Sequence, residues 1–175
     1  RHGYTLTLRA SLRLMAAKFL EGVNCQNLDV LARGPFWDEG LDYRCGTGHG
    51  VGHILNVHEG PNGFRWKIND SYPLCELKPG MITTDEPGLY VENEFGVRIE
   101  NELLCVKKEK TEYGQFLGFS NITVCPIDLD PVDADDLTDY EKKTLNDYHA
   151  FVYEALKDYM EEDEKSWLYE VTRPI

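Results

Sequence analysis

Gly46-Thr47-Gly48-His49-Gly50-Val51-Gly52-His53-Ile54-Leu55-Asn56-Val57-His58-Glu59-Gly60-Pro61 is the stretch on which the reading of this chain turns. Three of the five histidines fall in it, and glycine takes every second position from 46 to 52. Glycine lets backbone approach a ligand closely, and neutral imidazole is both a metal ligand and a proton carrier. Histidines on a rigid element flanked by glycine turns are what a metal or transition-state site needs. Any one of them alone reads more simply as a hydrogen-bonded structural residue; clustering weakens that reading for the set.

Two carboxylate motifs follow. Thr84-Asp85-Glu86-Pro87-Gly88-Leu89-Tyr90 puts Glu86 at a strand end, and Gly96-Val97-Arg98-Ile99-Glu100-Asn101 sets Glu100 beside apolar Val97 and Ile99. In an apolar setting a carboxylate must pair or hold a cation to offset its desolvation. Singly, each reads as a salt-bridged or edge-strand glutamate. With His49 they form a donor set of one nitrogen and several oxygens, which suits Mn²⁺, Co²⁺ or Zn²⁺ better than Ca²⁺.

Around these motifs the texture changes twice. Leu8, Leu12, Met15 and Phe19 recur at helical spacing, which predicts a helix over 5–21, and a second helix is expected from Asn27 as N-cap to just before Gly34-Pro35. From about 36 to 125, Gly and Pro punctuate short runs rich in Val, Ile, Tyr and Thr, with strands expected at 51–57, 81–85, 88–91, 96–106 and 118–125. Beyond Pro131 helical spacing returns: Thr138 and Glu141 form a capping box, followed by Leu145, Tyr148, Val152, Ala155 and Tyr159. Helix, sheet and helix segregated in this way predict an α+β domain.

The three motifs, in this order, resemble Xaa-Pro aminopeptidases (aminopeptidase P) of the pita-bread, creatinase/methionine-aminopeptidase-like superfamily. The likeness continues through Leu31-Ala32-Arg33, Trp37 and Gly40-Leu41-Asp42-Tyr43 upstream, and through Cys125-Pro126-Ile127-Asp128 and Leu145-Asn146-Asp147-Tyr148-His149 downstream. The resemblance implies a partial pita-bread fold, a curved antiparallel sheet with flanking helices. Residues 1–125 would be the C-terminal part of the catalytic domain and 126–175 an acidic helical C-terminal extension. It also implies two divalent metal ions, manganese first, with zinc or cobalt as alternatives. His49 would ligate one of them, Glu86 would ligate it while exchanging protons with the attacking water, and Glu100 would bridge both. His58 would hydrogen-bond substrate, Arg98 would orient the site, and His53 would line the substrate pocket.

Physically these roles agree, since a metal pair acidifies water and polarises a carbonyl and a nearby carboxylate can pass the proton to the leaving nitrogen. The substrate so implied is a peptide with proline at its second position, handled by a cytoplasmic homodimer. A prolidase-type dipeptidase is the neighbouring enzyme reading. A non-catalytic pita-bread domain that binds peptides or proteins is the alternative of another class, and keeping both glutamates argues against it. Two departures stand out. Cys45 takes a position where many members have histidine. The family's two aspartate ligands and a further histidine, expected ahead of the first helix, have no counterpart before His49, because Asp29, Asp38 and Asp42 lie in helix or loop contexts. The chain therefore reads as the C-terminal half of a catalytic domain, and little or no activity is expected of it alone.

Composition sets the outer bounds. A chain of 175 residues with 42% hydrophobic side chains is about one domain with a real core. Its 31 acidic and 18 basic side chains give a net charge of −13, of which residues 126–175, with fifteen acidic and five basic groups, carry −10. Such a chain is a poor phosphate-backbone binder, so nucleic acid is not an expected partner. No run approaches the ~20 apolar residues of a membrane span. Cys25, Cys45, Cys75, Cys105 and Cys125 are odd in number and contain no Cys-x-x-Cys pair, which fits reduced thiols in a cytosolic protein.

Overall fold

The computed structural model describes residues 1–54, 56–68, 70 and 73–175. Packing centres on α1 (His2–Met15), whose Leu6, Leu8, Leu12, Leu14 and Met15 are all buried although they point to different sides. Each leucine removed from water contributes about 1.5–3 kcal/mol, so α1 is where sheet and helices are joined. The helix ends well before residue 21. Phe19 finds its burial in a sheet instead: β1 (Lys18–Leu20) pairs with the strand at 116–118, and the Phe19 and Phe119 rings lie 5.4 Å apart.

α2 (Cys25–Asp38) starts earlier than expected, at Asn24, whose backbone N–H donates to the Asn27 side chain at 3.2 Å. It also runs through Gly34-Pro35. Proline removes one N–H from the ladder, but Leu28, Ala32 and Phe36 keep one face buried and hold the last turn in place.

The main sheet is antiparallel, in the order β1, β6 (Gly114–Asn121), β5 (Asn101–Thr111), β2 (Ile82–Asp85). A shift of register between Lys107 and Lys110 bends its long hairpin. A separate ribbon pairs β3 (Gly88–Val91) with β4 (Phe95–Arg98). The run expected as one strand over 96–106 is thus two strands, broken at Ile99-Glu100. The strand expected at 118–125 stops at Asn121; the following segment turns under α3 (Asp139–Leu156), where the Tyr148 hydroxyl donates to Cys125 O at 2.9 Å. No strand forms at 51–57 among the described residues, Leu55 lying outside them. Gly52 N–H donates to Asn56 O at 2.8 Å and Glu59 N–H to Gly50 O at 2.9 Å, folding this stretch into a loop.

The Thr138–Glu141 capping box forms as expected, with Thr138 N–H donating to Glu141 Oε2 at 2.8 Å. Helical spacing continues to Tyr159 in the sequence, but α3 ends at Leu156; a 3₁₀ turn over Lys157–Tyr159 leads into α4 (Glu162–Val171). No described helix is long and apolar enough to cross a membrane, and all five cysteines are free thiols.

His149 locks α3 to the segment after the sheet. Its Nε2 accepts the Ile127 N–H at 3.0 Å, and the side chain is fully buried. Burial, with Arg173 nearby, pushes its pKa down to about 4. A histidine depressed in this way is neutral in both states above its unfolded pKa of about 6.5, and the unfolded state alone takes the proton as pH falls towards 4. We expect wild-type stability to drop across that window by an amount on the order of 2–3 kcal/mol more than that of a His149→Leu variant. Urea unfolding at pH 7, 5.5 and 4 checks this, and parallel pH profiles for the two proteins would contradict it.

Candidate active site

The glycine-rich stretch is placed by hydrogen bonds on both sides. Towards β2, His49 N–H donates to Thr84 Oγ1 and Thr84 N–H to His49 O, both at 2.9 Å, and Glu86 N–H donates to Thr47 O at 2.7 Å. Away from β2, Thr47 N–H donates to Phe64 O at 3.0 Å and Gly50 N–H to Asn62 O at 2.9 Å. Gly48 is required by this closeness: a Cβ there would sit 1.9 Å from the Thr84 carbonyl oxygen.

The result is a buried pair. His49 is 4% exposed and Glu86 is 7% exposed. His49 Nδ1 lies 2.9 Å from Gly50 O, and a carbonyl can only accept, so Nδ1 carries a hydrogen. Nε2 lies 3.0 Å from Glu86 Oε1, so a neutral ring would turn its lone pair to the carboxylate and a doubly protonated ring would donate to it. The other Glu86 oxygen accepts from Arg98 Nη1, and Oε1 also takes the Thr84 hydroxyl at 3.2 Å. Arg98 comes from the ribbon, where it lies opposite Gly88, and its Nε donates to the Tyr90 hydroxyl at 2.8 Å.

The His58 ring lies 4.3 Å from the His49 ring, tilted by 52°. Both His58 and His53 are exposed, His53 on the loop beyond Gly52. Glu100 departs from its expected apolar setting. The break between β4 and β5 frees it, and its side chain is exposed. Its charge is still felt in the site. Asp85, fully buried, is pushed well above the usual carboxylate range by burial and then by Glu86 and Glu100, against a 3.0 Å hydrogen bond from Ser11. Glu102 is raised by burial and then by Glu100 and Glu86, with His49 opposing. The sequence alone assigns no role to Thr84, Asp85, Tyr90 or Ser11; for the first three the one signal is their place within the Glu86 motif.

These residues fit a divalent cation as part of a site. Two acceptors, His49 Nε2 and Glu86 Oε1, face each other, an arrangement that calls for a proton or a cation, and an imidazole whose other nitrogen donates to a backbone carbonyl is oriented as metal-ligating histidines are. The surplus of carboxylates around the pair also favours positive charge. Among the described residues, no three His, Cys, Asp or Glu side chains converge closely enough to hold an ion by themselves.

The model of metallopeptidase family M24 matches residues 1–107, and that of the C-terminal region of peptidase M24 matches residues 115–175. Proteins called probable Xaa-Pro aminopeptidase P from Ajellomyces dermatitidis and Tuber melanosporum are 42% and 44% identical over the whole chain. The chain spans 29% of the length of each. Among solved structures, an X-prolyl aminopeptidase from Caenorhabditis elegans, described as a cytosolic enzyme with a di-nuclear active site, superposes with a TM-score of 0.88 at 39% identity, covering 99% of this chain and 28% of that one. A prolidase from Pyrococcus furiosus follows at a TM-score of 0.58 and 30% identity, over 73% of this chain and 33% of its own. The fold is accordingly the pita-bread fold, represented here by its curled antiparallel sheet and flanking helices. By its sequence motifs, its fold and the extent of the family match, the chain belongs to metallopeptidase family M24.

Proposed function

We propose that the protein containing this chain is a metal-dependent aminopeptidase that releases an N-terminal residue preceding proline. The observation that carries this reading is the opposition of His49 Nε2 and Glu86 Oε1 at 3.0 Å, both side chains buried and with Asp85 next to Glu86 in the chain. His49, Glu86 and Glu100 would hold divalent cations, with manganese the first choice, and further ligands would come from outside these residues. When bound, such ions acidify water and polarise a carbonyl.

The chain's own groups supply the rest. Glu86 is placed to accept a proton at Oε1 while Arg98 holds Oε2, so that one oxygen stays fixed as the other works. Tyr90 in turn fixes Arg98. His58, its ring 4.3 Å from that of His49 and open to solvent, would hydrogen-bond the peptide, with His53, also exposed, as a wall of the same approach. Proline's nitrogen in the scissile bond has no hydrogen, so recognition has to rest on ring shape. The Caenorhabditis elegans relative, described as cytosolic, supports a cytoplasmic setting.

The test is an assay of the intact protein on an Xaa-Pro-Xaa peptide, before and after chelation and with Mn²⁺, Zn²⁺ or Co²⁺ restored. Release of the first residue, lost on chelation and recovered with metal, is expected; the 175-residue chain alone should give little or none. Cleavage confined to Xaa-Pro dipeptides would move the assignment to a prolidase. No cleavage with any metal would favour a peptide-binding domain.

A further inference from the structure

Behind His49 and Glu86 lies a second buried charged group for which the proposed reaction has no direct use. Asp29 and Arg33 sit one turn apart on α2, with side chains 0% and 3% exposed. Arg33 Nε donates to Asp29 Oδ2 at 2.6 Å. Its remaining nitrogens reach the segment that enters the glycine-rich stretch. Nη1 donates to Tyr43 O at 2.7 Å and Asp42 Oδ1 at 2.8 Å, and Nη2 donates to Cys45 O at 2.9 Å. The guanidinium also lies 4.0 Å from the centroid of the Tyr43 ring.

The second oxygen of Asp29 accepts the Thr47 hydroxyl, which in turn accepts from the Tyr43 hydroxyl at 2.6 Å. Thr47 is therefore pinned by its side chain. Its carbonyl takes the Glu86 N–H at 2.7 Å, and His49 is two residues further on. The stretch that presents His49 is a loop among glycines, free of any helix or long strand that would fix it. A buried ion pair with four of the five guanidinium N–H groups engaged is a rigid anchor for such a loop.

We propose that the buried Asp29–Arg33 pair, acting through Thr47, is a positioning device that sets His49 against Glu86. The proposal rests on the aminopeptidase reading for its catalytic consequence, while its structural part stands apart from that reading. Removing the Thr47 hydroxyl leaves the His49 and Glu86 side chains untouched but unties their common backbone support. A displacement of reacting groups by about 1 Å costs on the order of 100-fold in rate.

The test compares Thr47→Val and Thr47→Ser in the intact protein, with amide hydrogen exchange and peptide hydrolysis as separate readouts. In Thr47→Val, the Glu86 amide should exchange about tenfold faster or more, beyond any change at amides of the β5–β6 hairpin. Its kcat should fall by about 10–100-fold, with KM within about threefold. Thr47→Ser keeps the hydroxyl and should restore both. Tyr43→Phe, which removes one partner of that hydroxyl, carries the same exchange test if Thr47→Val does not fold. Equal acceleration at Glu86 and in the hairpin, or equal kcat for the valine and serine variants, would overturn the proposal and leave the pair a general brace. Selective exchange at Glu86 in a protein without Xaa-Pro hydrolysis would instead sink the aminopeptidase reading and keep the positioning role.

Discussion

Replacing Glu86 by Gln in the intact protein should lower kcat on an Xaa-Pro peptide by about 10³-fold or more, roughly 4 kcal/mol of barrier, while the protein stays folded. The amide has the carboxylate's shape and leaves the packing of this 7% exposed side chain intact. Three properties go with the charge. One is the proton acceptor facing His49 Nε2 at 3.0 Å. Another is the counter-charge of Arg98, which would keep at most a neutral amide oxygen beside the Tyr90 hydroxyl. The third is a carboxylate oxygen available to a cation. Loss of general-base function alone spans about 10²–10⁴ in rate, so the combined effect belongs at the upper end. Single-turnover hydrolysis, read beside the near-ultraviolet circular dichroism of both proteins, measures this. An unchanged kcat in a folded Glu86→Gln protein would remove Glu86 from the mechanism, and with it the reading of the buried pair.

How legible each feature is in the amino-acid sequence depends on how local its determinant is. The Thr138–Glu141 box is reciprocal within four residues, and it forms as the residue types demand. Asn24 and Asn27 are the opposite case. Both are good caps, and only the docking of the neighbouring chain, where Cys25 N–H meets Cys75 O at 2.9 Å, selects Asn24. β1 is three residues long and owes its existence to β6, about a hundred residues later, so no local window could show it. The site divides in the same way. His49, Glu86 and Arg98 lie in dense motifs and come together as those motifs suggest. Glu100 reads as part of an apolar strand, but the strand breaks there. The Asp29–Arg33 pair is hidden for another reason: at i,i+4 spacing it looks like an ordinary solvent-facing helix pair, and its burial exists only because residues 42–47 wrap over it.

Glu141→Ala should lower the unfolding free energy of the intact protein by about 3–5 kcal/mol, the usual cost of leaving buried or half-buried charges without their partner. Glu141 lies in the acidic C-terminal region, whose carboxylates are mostly exposed, yet it is 1% exposed. Its Oε1 accepts from Arg13 Nε at 2.7 Å and Arg9 Nε at 3.3 Å, both on α1, and Oε2 accepts from Thr138 N–H at 2.8 Å. One carboxylate thus caps α3 and ties it to the central helix. Burial pushes its pKa up, but the Thr138 and Arg13 hydrogen bonds and the charge of Arg9 more than offset this and hold it below the usual glutamate value. A depressed carboxylate contributes its stability above the unfolded pKa of about 4.3, and that contribution disappears as pH falls through the lower folded value. The deficit of Glu141→Ala should therefore be full at pH 7 and shrink below about pH 4. Because Arg9 and Arg13 are partly open to solvent, salt should weaken the tie only in part. Urea unfolding of Glu141→Ala, Arg13→Ala and the double variant separates cap from clamp: coupling between 141 and 13 is expected at about 1 kcal/mol or more. A loss under about 1 kcal/mol at pH 7 would mean that α1 and α3 are held by Leu145, Tyr148 and Val152 alone.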